Sequence, residues 1–419
     1  MDREPVRDTP EEFQNLTTGR FLRYARYWTT SDRRNPDTPS TPGQWELAKA
    51  LAKELRGLGV ADITLTDHCY VIARIPASPG KEHCPVLGFL AHLDTSEEVS
   101  GKDVKPCLVE NYDGKPIELS GGLCLDPDEY PALAAHKGKA LIHADGSTLL
   151  GADNKAGIAA IMGAAEYLLA HPELERGRVE IIFSPDEETG KGLPEFPADS
   201  IRANICYTLD GGPLGELEWE CFNAWAAKIQ FTGVSMHLGQ ARSRMVNATL
   251  MASVYNAMLP RNESPEATDA YYGYYCPLSI EGNAESASVE VYVRDFDLAE
   301  GERRLAALET YARAVEAQFP GGKAEVSSRL QYRNMREKIS ERPDVLEKLR
   351  QAYTNTGVEI RERPIRGGTD GSKLTEMGIP TPNIFTGGRN FHSRLEWLSV
   401  PELAAACRIV TELVRLWAV

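Results

Sequence analysis

The sequence predicts an α/β protein: a mixed, largely parallel sheet flanked by helices, interrupted by an inserted ferredoxin-like α+β domain. Three observations carry this expectation. The chain has 419 residues, more than one ordinary hydrophobic core fills. Its outer parts alternate short apolar runs with amphipathic stretches, as strands joined through helices do. Its middle, from about Phe222, reads strand, helix, strand, strand, helix, strand. The expected division gives residues 1–221 and 334–419 to the outer domain and 222–333 to the insert.

Taken in order, Glu11 to Trp28 has helical apolar spacing, with Thr9 and Pro10 as a start signal. A polar, Pro-rich loop leads to a second amphipathic helix, Gln44 to Leu58, stopped by glycines. Ile63 to Leu65, Tyr70 to Ile75 and Pro85 to Leu93 read as strands, the last ending in Ala91-His92-Leu93-Asp94. Ser96 to Ala140 is rich in Gly, Pro and Asp and predicts turns and short strands. Gly151-Ala152-Asp153-Asn154-Lys155 opens a small-residue helix to Leu169. Arg178 to Phe183 and Ile205 to Leu209 are further strands. The insert carries strands at 224–231, 274–280, 287–295 and 324–332, and helices at 245–259 and 298–319. After it come a helix at 345–354, a strand at 382–385 and a closing helix from Glu402 to Trp417.

Hydrophobic content of 42% and charged content of 26% belong to a globular protein. Basic residues number 46 against 61 acidic, a formal charge of -15, and no basic stripe is visible, so no nucleic-acid partner is expected. Eight cysteines with no C-x-x-C pair read as reduced thiols rather than a disulfide frame or a structural zinc module. Met1 to Asp32 has no signal-peptide character, and no apolar run reaches membrane-spanning length. The expectation is a cytoplasmic protein without a membrane partner.

The chemistry centres on Ser184 to Gly192, S-P-D-E-E-T-G-K-G. Three acids stand where a buried strand should end, and they repel one another unless a cation neutralises them. One reading is a solvated acidic turn; the other is a metal site with a catalytic carboxylate beside it. Similar polar clusters follow the other strands, where open α/β sheets bind ligands. His92, Asp153, Glu188, Asp210 and His392 supply two imidazoles and three carboxylates, enough for two zinc ions about 3.5–4 Å apart that share one carboxylate. H-x-D lets Asp94 orient an imidazole. Of the adjacent Glu187 and Glu188, one can bind metal while the other serves as general base. Taken singly, His92 also reads as a structural histidine, Asp153 as a helix cap and Asp210 as a turn former.

Six motifs in order, G-F-L-A-H-L-D-T-S, L-L-G-A-D-N-K-A-G, S-P-D-E-E-T-G-K-G, Y-T-L-D-G-G-P-L-G-E-L-E, I-R-G-G-T-D-G-S and F-T-G-G-R-N-F-H-S, resemble the M20 family of zinc metallopeptidases, and within it the tripeptide aminopeptidases. The match runs from near Ser40 almost to the C-terminus. The resemblance implies a zinc-exopeptidase-like catalytic domain, with the insert as lid and dimerisation domain of a homodimer. It implies two Zn2+ per subunit. His92, Asp153 and Asp210 would hold one ion; Asp153, Glu188 and His392 would hold the other. Asp94 would orient the site and Glu187 act as general base on a metal-bridging hydroxide. A cis peptide after Asp153 is implied as well. His237 looks like the family histidine that crosses to the other subunit to polarise the scissile carbonyl. Arg366 looks like the arginine that holds the substrate's terminal carboxylate through paired N–H donors. Arg294 matches a second arginine near the substrate, against the alternative of a surface ion pair with Asp295 or Asp297.

The sequence departs from the family pattern in three places. Asn154 replaces an acid, Met236 and Leu238 flank His237, and Arg389 stands where an aromatic is common. None removes a metal ligand; they bear on substrate preference. The expected activity is release of the N-terminal residue from short peptides, most simply tripeptides. The alternatives are a dipeptidase or N-acyl amino acid hydrolase with the same metal pair, and a metal-bound binding protein without catalysis.

Overall fold

A computed structural model describes residues 9–190 and 195–419. Lys191 and Gly192 of the acidic motif lie outside the described residues. The chain forms two compact units: one comprises the residues up to Trp219 with Lys338–Arg363 and Thr369–Val419, the other Glu220–Glu337 with Pro364–Gly368.

The first unit is built on an eight-stranded sheet. Its order is Asp62–Leu65, Val71–Ile75, Val179–Ser184, Leu87–His92, Ile205–Gly211, Asn383–Phe385, Glu216–Glu218 and Arg361–Glu362. The four strands from Val179–Ser184 to Asn383–Phe385 run parallel; antiparallel pairs flank them. Every residue of Leu87–His92 and Val179–Ser184 is buried, because helices cover both faces, and this is why the two strands read as largely apolar runs, Glu180 being buried in an ion pair with Arg74. On one face Leu90, Ile182 and Cys206 pack against Leu374 of helix Asp370–Glu376. On the other, the Tyr207 hydroxyl donates to the Val345 carbonyl and accepts from the Trp417 indole, tying helices Pro343–Asn355 and Val400–Trp417 to the sheet.

Helix Ala152–Ala170 also lies on this second face. Its Gly157 allows the close approach: a Cβ there would stand 2.1 Å from the Leu209 carbonyl oxygen. A separate antiparallel sheet, ordered Gly388–Arg389, Trp397–Ser399, Leu141–His143 and Cys107–Val109, holds a hairpin whose loop is 390–396. Strands of two or three residues are too short to show a period, so the sequence reading missed most of this sheet.

The second unit has a four-stranded antiparallel sheet ordered Tyr274–Gly282, Ser286–Asp295, Asn223–Thr232 and Lys323–Tyr332. With helices Ala248–Met258 and Leu298–Gln318 this is the ferredoxin-like order. Alternation fixes its faces: Trp225, Ala227, Ile229 and Phe231 enter one core with Met251, Tyr255, Leu308 and Val315, while Lys228 is exposed. Among the described residues no helix is long and apolar enough to cross a membrane.

Gly157→Ala is expected to destabilise the first unit by about 2 kcal/mol, the order of magnitude for overpacking a tight contact. The urea midpoint measures it; an unchanged midpoint would show that helix and strand can part without cost.

Candidate metal centre

The five candidate ligands come together at the carboxyl ends of the parallel strands. His92 is the last residue of Leu87–His92, and Asp210 lies near the end of Ile205–Gly211. Glu187 and Glu188 stand in the turn after Val179–Ser184. Asp153 sits at the entrance to helix Ala152–Ala170, where Gly151 is left-handed (φ 78°), Asp153 and Asn154 leave helical geometry and the Asp153–Asn154 peptide is cis. His392 lies in the 390–396 hairpin loop with φ 58°.

The ligand atoms form two groups, His92/Asp153/Asp210 and Asp153/Glu188/His392, each within 4.8 Å. His92 Nε2 is 2.9 Å from Asp153 Oδ1 and 3.3 Å from Asp210 Oδ1. His392 Nε2 is 3.2 Å from Asp153 Oδ2 and 3.1 Å from Glu188 Oε2. The two oxygens of Asp153 thus face different imidazoles, the disposition of a bridging carboxylate. Asp94 is fully buried beneath them. His92 Nδ1 lies 3.1 Å from its carbonyl and 3.2 Å from Oδ1, so Nδ1 carries the proton and Nε2 is left for the cluster. The same carboxylate accepts the N–H groups of Glu187 (3.0 Å) and Glu188 (3.1 Å). One acid therefore sets both the imidazole and the turn.

Electrostatics match a cation site. Desolvation, then the Asp153 charge, pushes Glu188 up to about 8. Asp210 rises to about 6, mainly from burial, against the pull of His92. Burial acts to lower His392, yet Asp153 and Glu188 hold it up to about 11. Burial acts in the same downward sense on His92, and Asp210 and Asp153 outweigh it, raising it well above its ordinary value. Glu187 is raised well above the carboxylate range, first by desolvation; Asp210, Asp370 and Glu188 add to this while His92 opposes it. Glu188 Oε1 is buried without a hydrogen-bond partner. Two imidazoles, three carboxylates and an orphaned carboxylate oxygen fit divalent cations that accept mixed nitrogen and oxygen donors.

Several supporting residues escaped the sequence reading. Asn383 Oδ1 accepts the N–H of Asp210 at 2.9 Å; its only signal was an amide in an otherwise apolar strand. Asp370 accepts from the Ser184 hydroxyl at 2.6 Å. Asp186, the first of the three acids in S-P-D-E-E-T-G-K-G, is fully buried and accepts from Ser40 and Gln44. Asn154 caps its own turn, its Oδ1 accepting from Gly157 at 3.2 Å. Arg389 forms a two-pronged pair with Glu402 (2.8 and 3.1 Å) over the Trp397 ring.

His237, Arg294 and Arg366 belong to the second unit. His237 is exposed, and its Nδ1 accepts the Gly239 N–H at 3.2 Å, which leaves Nε2–H as the ring's donor. Arg366 is engaged on the backbone: Nη1 donates to Ala270 and Tyr272 carbonyls (2.9 Å each), Nη2 to the Thr268 carbonyl and hydroxyl (3.2 and 2.9 Å). Arg294 corrects one alternative. It is buried, donates to Trp225 and Val293 carbonyls at 3.0 Å and stacks on Tyr292 and Tyr332. Adjacent strand residues point to opposite faces, so Asp295 is out of its reach and pairs with Arg304 instead.

The sequence profile of peptidase family M20/M25/M40 matches residues 131–416. Peptidase T of Geobacillus sp. (strain WCH70) is 46% identical over 406 residues, covering 96% of this chain and 99% of its own length. Peptidase T of Listeria monocytogenes is 44% identical over 400 residues, with 95% and 97% covered. Among solved structures, aminopeptidase PepT of Bacillus cereus superimposes with a TM-score of 0.75 at 22% identity, covering 97% of this chain and 99% of that one. A dinuclear metal-binding peptidase from Bacillus subtilis superimposes with a TM-score of 0.64 at 16% identity, covering 97% and 98%. These two share the fold.

Metal uptake at pH 7 is expected to release protons. His392, held up to about 11 by Asp153 and Glu188 against its burial, is protonated there in the metal-free protein and must lose that proton to bind a cation. Calorimetry in buffers of different ionisation enthalpy should count at least one proton per subunit, with affinity falling as pH falls; pH-independent uptake would contradict the protonation states.

Proposed function

The chain belongs to peptidase family M20/M25/M40, and on that premise we propose that it is a dizinc aminopeptidase releasing the N-terminal residue of tripeptides. The observation that carries the metal half is the pair of triads sharing Asp153. The substrate half rests on likeness to peptidase T over 96% of the chain. His92, Asp153 and Asp210 would hold one zinc ion and Asp153, Glu188 and His392 the other, two per subunit. Bound zinc supplies Lewis acidity toward the scissile carbonyl and acidifies water.

The protein's own groups do the rest. Glu187 takes a proton from the attacking water and returns it to the leaving amine. Its environment raises its proton affinity far above that of a free carboxylate, and a base with raised affinity can serve in both directions once nearby cations offset part of the rise. His237 acts from the other subunit of a homodimer, its Nε2–H aimed at the carbonyl oxygen in the transition state. Arg366 reads the free C-terminus, the peptide carboxylate replacing carbonyls of the 268–272 segment on the guanidinium fork. Arg294 supports the same part of the substrate site. We assign the protein to the cytoplasm.

The test is hydrolysis of a panel of tripeptides, dipeptides and N-acetylated amino acids by zinc-loaded and chelated protein. Chelator-sensitive cleavage of tripeptides is expected; preference for N-acetylated substrates would favour an acyl amino acid hydrolase. Glu187→Ala should retain metal while kcat falls by at least about 100-fold, the low end for general acid–base catalysis; near-normal kcat would remove the general-base role. Arg366→Ala should raise KM for free tripeptides and leave C-terminally amidated ones little changed; an equal loss on both would contradict carboxylate anchoring.

A further inference from the structure

Glu396 has no place in the chemistry described so far, yet its carboxylate is buried and engaged by three main-chain donors. Oε2 accepts the N–H groups of Leu150 and Gly151, each at 2.7 Å, and Oε1 accepts that of Asp153 at 3.1 Å. These donors belong to the irregular entry of helix Ala152–Ala170, where left-handed Gly151 and non-helical Asp153 leave the backbone N–H groups without partners inside the helix. Glu396 itself ends the 390–396 loop, four residues after His392. That loop is closed by its own bonds: Ser393 Oγ to the Asn390 carbonyl (2.6 Å), Asn390 Nδ2 to the Leu395 carbonyl (3.1 Å) and Leu395 N–H to Ser393 Oγ (3.1 Å). A rigid turn therefore joins His392 to the carboxylate that grips the Asp153 segment, across 243 residues of sequence.

We propose that Glu396 is a positioning residue for one ion of the pair: it locks the His392 loop to the Asp153 segment, and so sets the site formed by Asp153, Glu188 and His392. The other site shares Asp153 but takes its remaining two ligands, His92 and Asp210, from the sheet, where Asp94 and Asn383 hold them. Loss of the Glu396 grip therefore weakens one ion more than the other. The inference rests on the dinuclear reading, and its test separates the two. In Glu396→Gln one acceptor oxygen becomes an NH2 donor facing main-chain N–H groups, while size is preserved.

Competition with a chromophoric chelator gives the two metal affinities. Wild type should bind two ions per subunit. E396Q should bind one with near wild-type affinity and the other at least about tenfold more weakly, the scale for a lost hydrogen-bond partner of a metal ligand. Glu396→Asp, which keeps the carboxylate on a shorter stem, should fall between. A wild type that binds one ion overturns the dinuclear reading. A two-ion wild type whose isotherm matches that of E396Q, or an E396Q that loses both ions equally, overturns the Glu396 assignment alone. If the variants do not fold, hydrogen exchange on chelated wild-type protein decides: the amides of Leu150, Gly151 and Asp153 should stay protected without metal, and exchange at open-loop rates overturns the proposal.

Discussion

Asp153 offers one carboxylate oxygen to each of two imidazoles, and the first unit is arranged to keep that carboxylate where both can reach it. The three acids repel one another in so small a volume, the two imidazoles offset only part of this, and burial desolvates the cluster. The sheet opposes this by delivering the groups on separate rigid elements. His92 and Asp210 arrive on neighbouring parallel strands, Glu188 on the turn after a third, and Asp153 at a helix entrance. Such crowding is stable only where the backbone leaves little room to splay apart. The Gly157 contact with the Leu209 carbonyl brings the helix carrying Asp153 directly against the strand carrying Asp210.

A second tier fixes the first through main-chain atoms. Asp94 accepts from Glu187 and Glu188 while meeting His92, and Asn383 accepts from Asp210. A side chain that accepts from a backbone N–H positions a residue regardless of that residue's rotamer, so these bonds set where the ligands start. Arg366 shows the same economy in the second unit, with four donor hydrogens on one short segment.

The legible and illegible parts of the molecule divide along physical lines. Val179–Ser184 and Asn223–Thr232 could be read because burial on two faces or one leaves a run or an alternation in the sequence. The ligand candidates could be read because they follow such runs, although their sharing into two sets came from resemblance. Asn383 and Asp370 could not be read, because their partners, Asp210 and Ser184, are distant in sequence and one of those bonds ends on the backbone. Arg294 was readable and one reading of it was mistaken: strand alternation already separates it from Asp295, and Arg304, nine residues beyond Asp295, takes that acid.

The first unit is discontinuous, and this sets an order of events during synthesis. Strand Asn383–Phe385 lies between Ile205–Gly211 and Glu216–Glu218, so the sheet keeps an open seam until the insert has been made and the chain returns. His92, Asp153 and Asp210 leave the ribosome before the insert; His392 follows it. A nascent chain therefore owns one complete triad long before the other. The proposed metal centre, once complete, is a mark of a finished polypeptide, and a chain truncated within the insert lacks both the strand that seals the sheet and the histidine proposed to close the pair.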